Sequence, residues 1–386
     1  MNNIQDRYYG LSPRIARWKE PSEFENSLSS AAERDAGVSR HLYNLYYKHI
    51  DPLYYAKGKE FARDMYDKHK HIFGEMDFES IYEDMVYCLH RYGLDFQDYC
   101  MFRLHEKSER KRNEFVSDKL RYHYCDLLNS PEVEDLMTDK LKCYKEYGKF
   151  YKREVVGVRS EEDKSAFLDF TSRHPKFIYK PLTAHSGNGI VIVDVKDNNE
   201  AEEWFEKTIV SNPGVAEELI EQGEAMAVLH PSSINTCRLT TFTIDGEVTV
   251  LGGALRIGKG KAFVDNCGQG GMYANIDPVN GIIATWAHDY TNREFRYHPD
   301  TGVQIIGFQL PEWDKALALL KEMATHHEGA TLIAWDIAYT DKGWVMIEGN
   351  DNGAWCIMQS NLQKGLKPEL YALMDRYFEH KTHIES

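Results

Sequence analysis

Trp335-Asp336-Ile337-Ala338-Tyr339 and, just after it, Val345-Met346-Ile347-Glu348-Gly349-Asn350 are the segments on which the reading of this chain turns. Each is an apolar run of strand length with oxygen-bearing side chains at inward positions. Glu348 and Asn350 are two apart, so on one strand they share a face and Ile347 points the other way. Asp336 stands on the preceding strand, across an Asp341-Lys342-Gly343 turn, and comes near them when the strands pair. A buried carboxylate is costly unless something positive pairs with it. Mg2+ is held by one or two carboxylates together with substrate phosphates. The three side chains therefore point to a metal–nucleotide site, in which a bidentate Glu348 bridges two ions and Asp336 and Asn350 complete their separate shells. The competing reading is the polar face of an exposed sheet, against which the apolar flanks argue.

Upstream, residues 235–255 read as two strands paired across Asp245-Gly246, a strong hairpin signal. Arg238 and Arg256 lie on its two strands and, on one face, form a clamp for a carboxylate or a transferring phosphoryl group. Paired with surface carboxylates instead, they do no chemistry. Asn235, Thr236, Asp265 and Asn266 add polar groups nearby. Gly268, Gly270 and Gly271 let the 258–275 loop close over a substrate, or serve only a tight turn.

Further upstream, strands at 177–182 and 189–193 flank a loop rich in small residues that includes Ser186, Gly187, Asn188 and Gly189. Consecutive N–H groups there form an anion nest, although Asn-Gly is equally a plain hairpin turn. The loop lacks the Lys-Ser/Thr and the following helix of a P-loop. Lys180, in an apolar strand just before it, wants an anion. In the next extended segment, 214–220, Glu217, Glu218 and Leu219 present backbone and side-chain groups suited to an adenine edge. Glu224 is placed to accept from ribose hydroxyls. Acidic residues at strand ends are also common without any such role.

Around these segments the pattern is α+β. Residues 1–130 carry apolar and aromatic residues at helical spacing, through Leu42, Leu45, Tyr46, Ile50, Phe61, Met65 and Tyr66. Helices are expected at 139–150, carrying Lys140, and at 199–209, 313–326 and 368–379, the last with Pro at its first turn. Further strands are expected near 282–286 and at 331–339.

The net charge of -15 offers no broad basic region, and the one dense run, Lys107 to Arg112, is broken by Ser108 and Glu109. It reads as a solvated face, and bulk attraction to nucleic acid is not expected. The seven cysteines are scattered without a CxxC pair, which predicts free thiols in a reducing compartment. No signal peptide and no membrane-spanning run is legible, so the expected location is the cytoplasm. The oligomeric state is not legible.

Taken together the segments resemble the ATP-grasp superfamily, and more narrowly its sugar-transfer-associated group, whose genes tend to lie among polysaccharide biosynthesis genes. The resemblance covers roughly residues 135–375. It rests on DK at 139–140, YKPLTAHSGNGI, EELI, SSINTCRLTTF, ALRIG, VDNCGQGG, YHPDTG, LPEW, AWDIAYT and IEGN, in family order. The resemblance implies two antiparallel-rich α+β lobes gripping ATP, a smaller one over 131–216 and a larger one with the metal site over 217–386, after a helical region over 1–130. It implies Lys140 and Lys180 on the nucleotide phosphates and the loop from Ser186 to Gly189 covering them. Glu217 and Leu219, with Glu218 between them, would meet adenine and Glu224 ribose. Asp336, Glu348 and Asn350 would hold Mg2+, and Arg238 and Arg256 the transferred phosphoryl group or the carboxylate. Gly349, between the last two ligands, departs from the pattern and is expected to loosen the strand.

The activity implied is a carboxylate–amine ligase. ATP activates a carboxylate as an acyl phosphate, which an amine then displaces. The expected substrates are a sugar acid or amino acid and an amine, in polysaccharide or natural-product biosynthesis, with ATP and Mg2+ as cofactors. The alternatives are a small-molecule kinase at the same ATP site and a non-catalytic nucleotide-binding module, which would tolerate losing a ligand.

Overall fold

Two antiparallel sheets, of four and seven strands, place the polar residues singled out above. The structure is a computed structural model that describes residues 41, 45, 48, 49, 52–182, 189–260, 265 and 270–384. The described chain falls into two compact units. One comprises the described part of Met1–Leu127 with His288–Glu294 and Ala354–Ser386, the other Leu128–Ala287 with Phe295–Gly353.

The described front of the chain is helical, as expected: α1 (Pro52–Lys68), α2 (Lys70–Phe73), α3 (Phe78–Tyr92), α4 (Phe96–Met101), α5 (Glu109–Arg112) and α6 (Asp118–Leu128). Most of the proposed helical spacing before Pro52, at Leu42, Tyr46 and Ile50, lies outside the described residues. Local signals set the ends. Asp77 caps α3 by accepting from the Ser80 N–H, and Gly93 ends it with φ 72°. The basic run is not simply a solvated face. Arg110 and Lys111 are exposed, but Arg112 is buried in a two-pronged pair with Asp84, both bonds 2.7 Å. Tyr99 donates to the same carboxylate. The run ends inward because a buried acid needs this cation.

The second unit opens with α7 (Pro131–Thr138) and α8 (Lys140–Tyr151). Strands β1 (Val155–Val158), β2 (Lys176–Pro181), β3 (Val191–Asp194) and β4 (Gly214–Glu218) make the smaller sheet, in the order β1-β4-β2-β3. Helices α9 (Lys164–Arg173) and α10 (Asn198–Ser211) pack on one face of it. Phe167, Phe170, Phe177, Tyr179 and Phe205 form the core there, with Trp204 edge-on to Phe177. After the short α11 (Glu224–Ala227), the larger sheet is built from β5 (Thr236–Ile244), β6 (Glu247–Ile257), β7 (Met272–Asn275), β8 (Ala287–His288), β9 (Glu294–Phe295), β10 (Leu332–Thr340) and β11 (Gly343–Asn350). The order is β11-β10-β5-β6-β7-β8-β9. Helix α12 (Trp313–Ala324) precedes β10, and α13 (Cys356–Ser360) and α14 (Lys367–Ile384) close the chain. The strand expected near 282–286 is not continuous. Ile282 and Ile283 make only isolated bridges, to Gln309 and Ile276.

The two hairpins form where turn chemistry predicts. Asp245 and Gly246 both take positive φ, 48° and 74°, the geometry that matches strand twist. Gly343, with φ 77°, follows the Asp341-Lys342 turn. One face of the larger sheet is hydrocarbon: Cys237, Leu239, Leu255, Ile257, Trp335 and Ile337 bury against α8 and α12 residues such as Tyr147 and Leu320. By strand alternation the other face carries Thr236, Arg238, Arg256 and Asp336. The six described cysteines form no disulfide among the described residues, and Cys267 lies outside them. Among the described residues no helix is long and apolar enough to cross a membrane.

Candidate active site

Register brings the charged residues into one row. Asp336 on β10 stands opposite Arg238 on β5 and opposite Glu348 on β11. Arg256 on β6 comes from the next row, and its Nε donates to Thr236 Oγ1 at 2.8 Å. Asp336 is fully buried. Arg238 grips it with two parallel bonds, Nε to Oδ1 and Nη2 to Oδ2, each 2.8 Å. Arg256 Nη2 adds a third, to Oδ2, also at 2.8 Å. Burial alone would raise the Asp336 pKa, but the guanidiniums of Arg238 and Arg256 outweigh it and hold the carboxyl below its usual range. Asp265 extends the network. It accepts from the backbone N–H and the hydroxyl of Thr236 and lies 3.6 Å from Arg256 Nε.

Glu348 is different. Its side chain is 39% exposed, and its nearest cation, Arg238 Nη2, is 3.7 Å away. Its pKa is raised, first by its protein surroundings and then by the negative Asp336 facing it, while Arg238, Lys180 and Arg256 oppose the rise. Asn350 lies one row further along β11, with Nδ2 3.5 Å from the Ala334 carbonyl. Gly349 does not loosen the strand. A Cβ there would sit 2.6 Å from Met137 Sδ and 3.1 Å from the Trp335 ring, so the missing side chain is what lets α7 close over β11.

The smaller sheet supplies a second charged cluster. Lys180 on β2 and Glu217 on β4 are diagonal neighbours, because Ile178 is the residue opposite Glu217. Lys180 Nζ is 2.9 Å from Glu217 Oε1. The other oxygen, Oε2, accepts from Arg153 Nε and Nη2 at 3.0 and 2.9 Å. Burial would raise the Glu217 pKa, but Lys180 and Arg153 bring it down to about 2. Its folded pKa therefore lies below its unfolded value, near 4.5. The stabilisation is complete above that value and drains away as pH falls from about 4.5 to about 2, on the order of 3 kcal/mol from this group. Urea unfolding midpoints measured across that window should fall more steeply for the native protein than for Glu217→Gln. Equal slopes would refute the assignment.

The remaining residues are less engaged. Glu218 accepts from Lys342 Nζ at 2.9 Å and from the Glu154 N–H at 3.0 Å, a structural joint. Leu219 is half-buried beyond the end of β4, and Glu224 is exposed at the start of α11. Lys140 opens α8 behind its N-cap, Asp139, which accepts from the Leu141 and Lys142 N–H groups. Its own side chain makes no hydrogen bond or ion pair among the described residues. Gly189 is described, with φ 74°. Ser186, Gly187 and Asn188 lie outside the described residues, as do Asn266 and Gly268. Thus Lys180, Glu217, Arg238, Arg256, Asp336 and Glu348 are drawn into two linked clusters, whereas Lys140 and Glu224 stand outside the bonded network. Sequence reasoning missed Arg153. The signal available was a basic residue two positions before the short apolar run Val155–Val158.

The donor chemistry suits a hard cation shared with phosphates. Among the described residues no group of three or more His, Cys, Asp or Glu side chains assembles into a cage. Mg2+ bound with a nucleotide needs only one or two carboxylates. Glu348 faces another carboxylate across paired strands, a repulsion that a cation relieves, and Asn350 offers an amide oxygen beside it.

The family model described as sugar-transfer associated ATP-grasp matches residues 119–374. Among solved structures the chain is similar to ATP-grasp ligase PsnB complexed with minimal precursor, Mg and ADP. The identity is 13% and the TM-score 0.39, over 69% of each chain. It is similar to D-alanyl-alanine synthetase A from Vibrio cholerae O1 biovar eltor at 10% identity and TM-score 0.41, over 65% of this chain and 68% of that one. It is also similar to N5-carboxyaminoimidazole synthase from Aspergillus clavatus, solved with ADP and a ribonucleotide. That match has 10% identity and a TM-score of 0.36, covering 66% of this chain and 58% of that one. No curated protein matches the sequence.

Proposed function

The chain belongs to the sugar-transfer associated ATP-grasp family, and from that premise we propose that it is an ATP- and Mg2+-dependent ligase joining a carboxylate to an amine. The observation that carries the proposal is the row Arg238, Asp336, Glu348 on one sheet face, with the charge of Lys180 reaching Glu348. A triphosphate, a metal and an anionic acyl group all demand such a mixture of fixed cations and one accessible carboxylate. The proposed substrates are a sugar acid or amino acid and an amine, in polysaccharide or natural-product assembly.

Glu348 and Asn350, with Asp336 behind them, would hold Mg2+, which when bound neutralises phosphate charge. Lys180, released from part of its bond to Glu217, and Lys140 meet phosphate oxygens. Glu217, Leu219 and Glu224 serve the nucleoside. The substrate carboxylate oxygen attacks the terminal phosphorus of ATP and ADP leaves. The amine then attacks the acyl carbon and inorganic phosphate leaves, with the amine proton lost to solvent. Arg238 and Arg256, held rigid by Asp336, stabilise the negative charge that shifts onto the transferred group without having to reorganise.

The test is incubation with ATP, Mg2+ and pooled amino acids, sugar acids and amines, followed by phosphate release and product mass. The expected result is ADP and phosphate in equal amounts, with a product heavier by a condensation. A product heavier by one phosphoryl group, with no free phosphate, would make the protein a kinase. ADP binding with no turnover on any pool would favour a nucleotide-binding module.

A further inference from the structure

The strand carrying Glu348 is not regular. Ile337 pairs with Met346 but Asp336 pairs with Glu348, so Ile347 is an extra residue, a β-bulge. Bulges re-aim side chains and leave part of the ladder unpaired. Here the bulge does both. Trp344 and Met346 point into the hydrocarbon core. Without the extra residue, Glu348 would follow them there. With it, Glu348 turns to the opposite face and meets Asp336.

The carbonyls at the bulge are taken by one side chain from elsewhere in the unit. Arg153 Nη1 donates to the Met346 carbonyl at 2.6 Å and Nη2 to the Ile347 carbonyl at 3.1 Å. Nη1 also donates to the Tyr151 carbonyl at 3.3 Å, and Nε and Nη2 both reach Glu217. A guanidinium has five N–H donors in a rigid fork, and all five are used. The Arg153 side chain is buried and lies 4.5 Å from the centre of the Tyr151 ring. The nearby link from Lys342 to Glu218 and the Lys152 carbonyl joins the same segments at an exposed position and touches nothing beside Glu348.

We infer that Arg153 is a positioning residue: by holding the Met346 and Ile347 carbonyls it fixes the bulge that aims Glu348. The inference rests on the nucleotide–metal reading of the site and adds the group that aims its accessible carboxylate. A lysine at 153 keeps a positive charge for Glu217, but a point charge on a flexible stem does not serve a carboxylate and two strand carbonyls together.

The test is ADP affinity by titration calorimetry, with Mg2+ and with EDTA, on the full chain. In the native protein Mg2+ is expected to strengthen ADP binding. In Arg153→Lys that strengthening should shrink roughly 10-fold to 100-fold, the range for supporting partners of metal ligands, while ADP affinity in EDTA changes little. Lys342→Ala should keep the native strengthening. Circular dichroism and thermal midpoints establish that each variant is folded. Should Arg153→Lys not fold, Arg153→Gln reaches one carbonyl but not both, and the same loss is expected. A folded Arg153 variant with the native response to Mg2+ overturns the inference. So does an equal loss in Lys342→Ala, which would make Arg153 an ordinary joint. A native protein that binds no ADP under either condition removes the nucleotide reading itself.

Discussion

Glu348→Gln is expected to lower Mg2+-dependent ATP turnover roughly 100-fold or more while leaving the fold intact. Exchanging the carboxylate for an amide removes one full charge from the oxygen donors of the proposed cation. Charge stabilisation of that kind is worth several kcal/mol, and each 1.4 kcal/mol is about tenfold in rate. Stability should change by less than about 1 kcal/mol, because the side chain is 39% exposed and no cation holds it closely. Steady-state phosphate release read beside urea unfolding separates the two effects. Full activity in a folded Glu348→Gln protein would remove Glu348 from the metal site.

Asp336→Asn is expected to do the reverse first. It should cost about 3–5 kcal/mol of folding stability, the usual penalty for stranding buried charge by deleting one partner. Two guanidiniums, each with little exposure, converge on this one carboxylate. An amide returns one weak acceptor and no charge. The urea midpoint at neutral pH is the measurement. A variant within about 1 kcal/mol of the native protein would mean that Arg238 and Arg256 find other partners or water. The two carboxylates face each other, yet Asp336 is bonded at 2.8 Å by two arginines whereas Glu348 is 39% exposed and 3.7 Å from its nearest cation.

Much of the fold was legible because local chemistry decides it. Asp245-Gly246 and Gly343 demand turns that only such residues form readily, and the alternation of Cys237, Leu239 with Thr236, Arg238 declares two faces. The four-residue β1 was not legible, since Val155–Val158 is too short for a period to show. The charged site was readable as a set of residues but not as a set of pairings. Asp336 was singled out because a buried acid needs a positive partner, and the partner found in the fold is a pair of arginines contributed by another hairpin. Likewise Gly349 looked like a weakness along the strand, and only the packing of Met137 and Trp335 across it reveals the close approach. Such facts depend on contacts between segments far apart in the chain.

The irregularity in β11 has a consequence for anyone comparing or transplanting this segment. Its two halves run in opposite phase: up to Met346 the even-numbered residues enter the core, and from Glu348 onward they leave it. An alignment scored on period-two hydrophobicity will therefore slip by one position across Ile347 and credit the wrong residue with the carboxylate. A graft of the acidic motif alone onto a regular strand would deliver its Glu into hydrocarbon. The transferable unit is the hairpin with its offset, together with the distant arginine that holds the offset open.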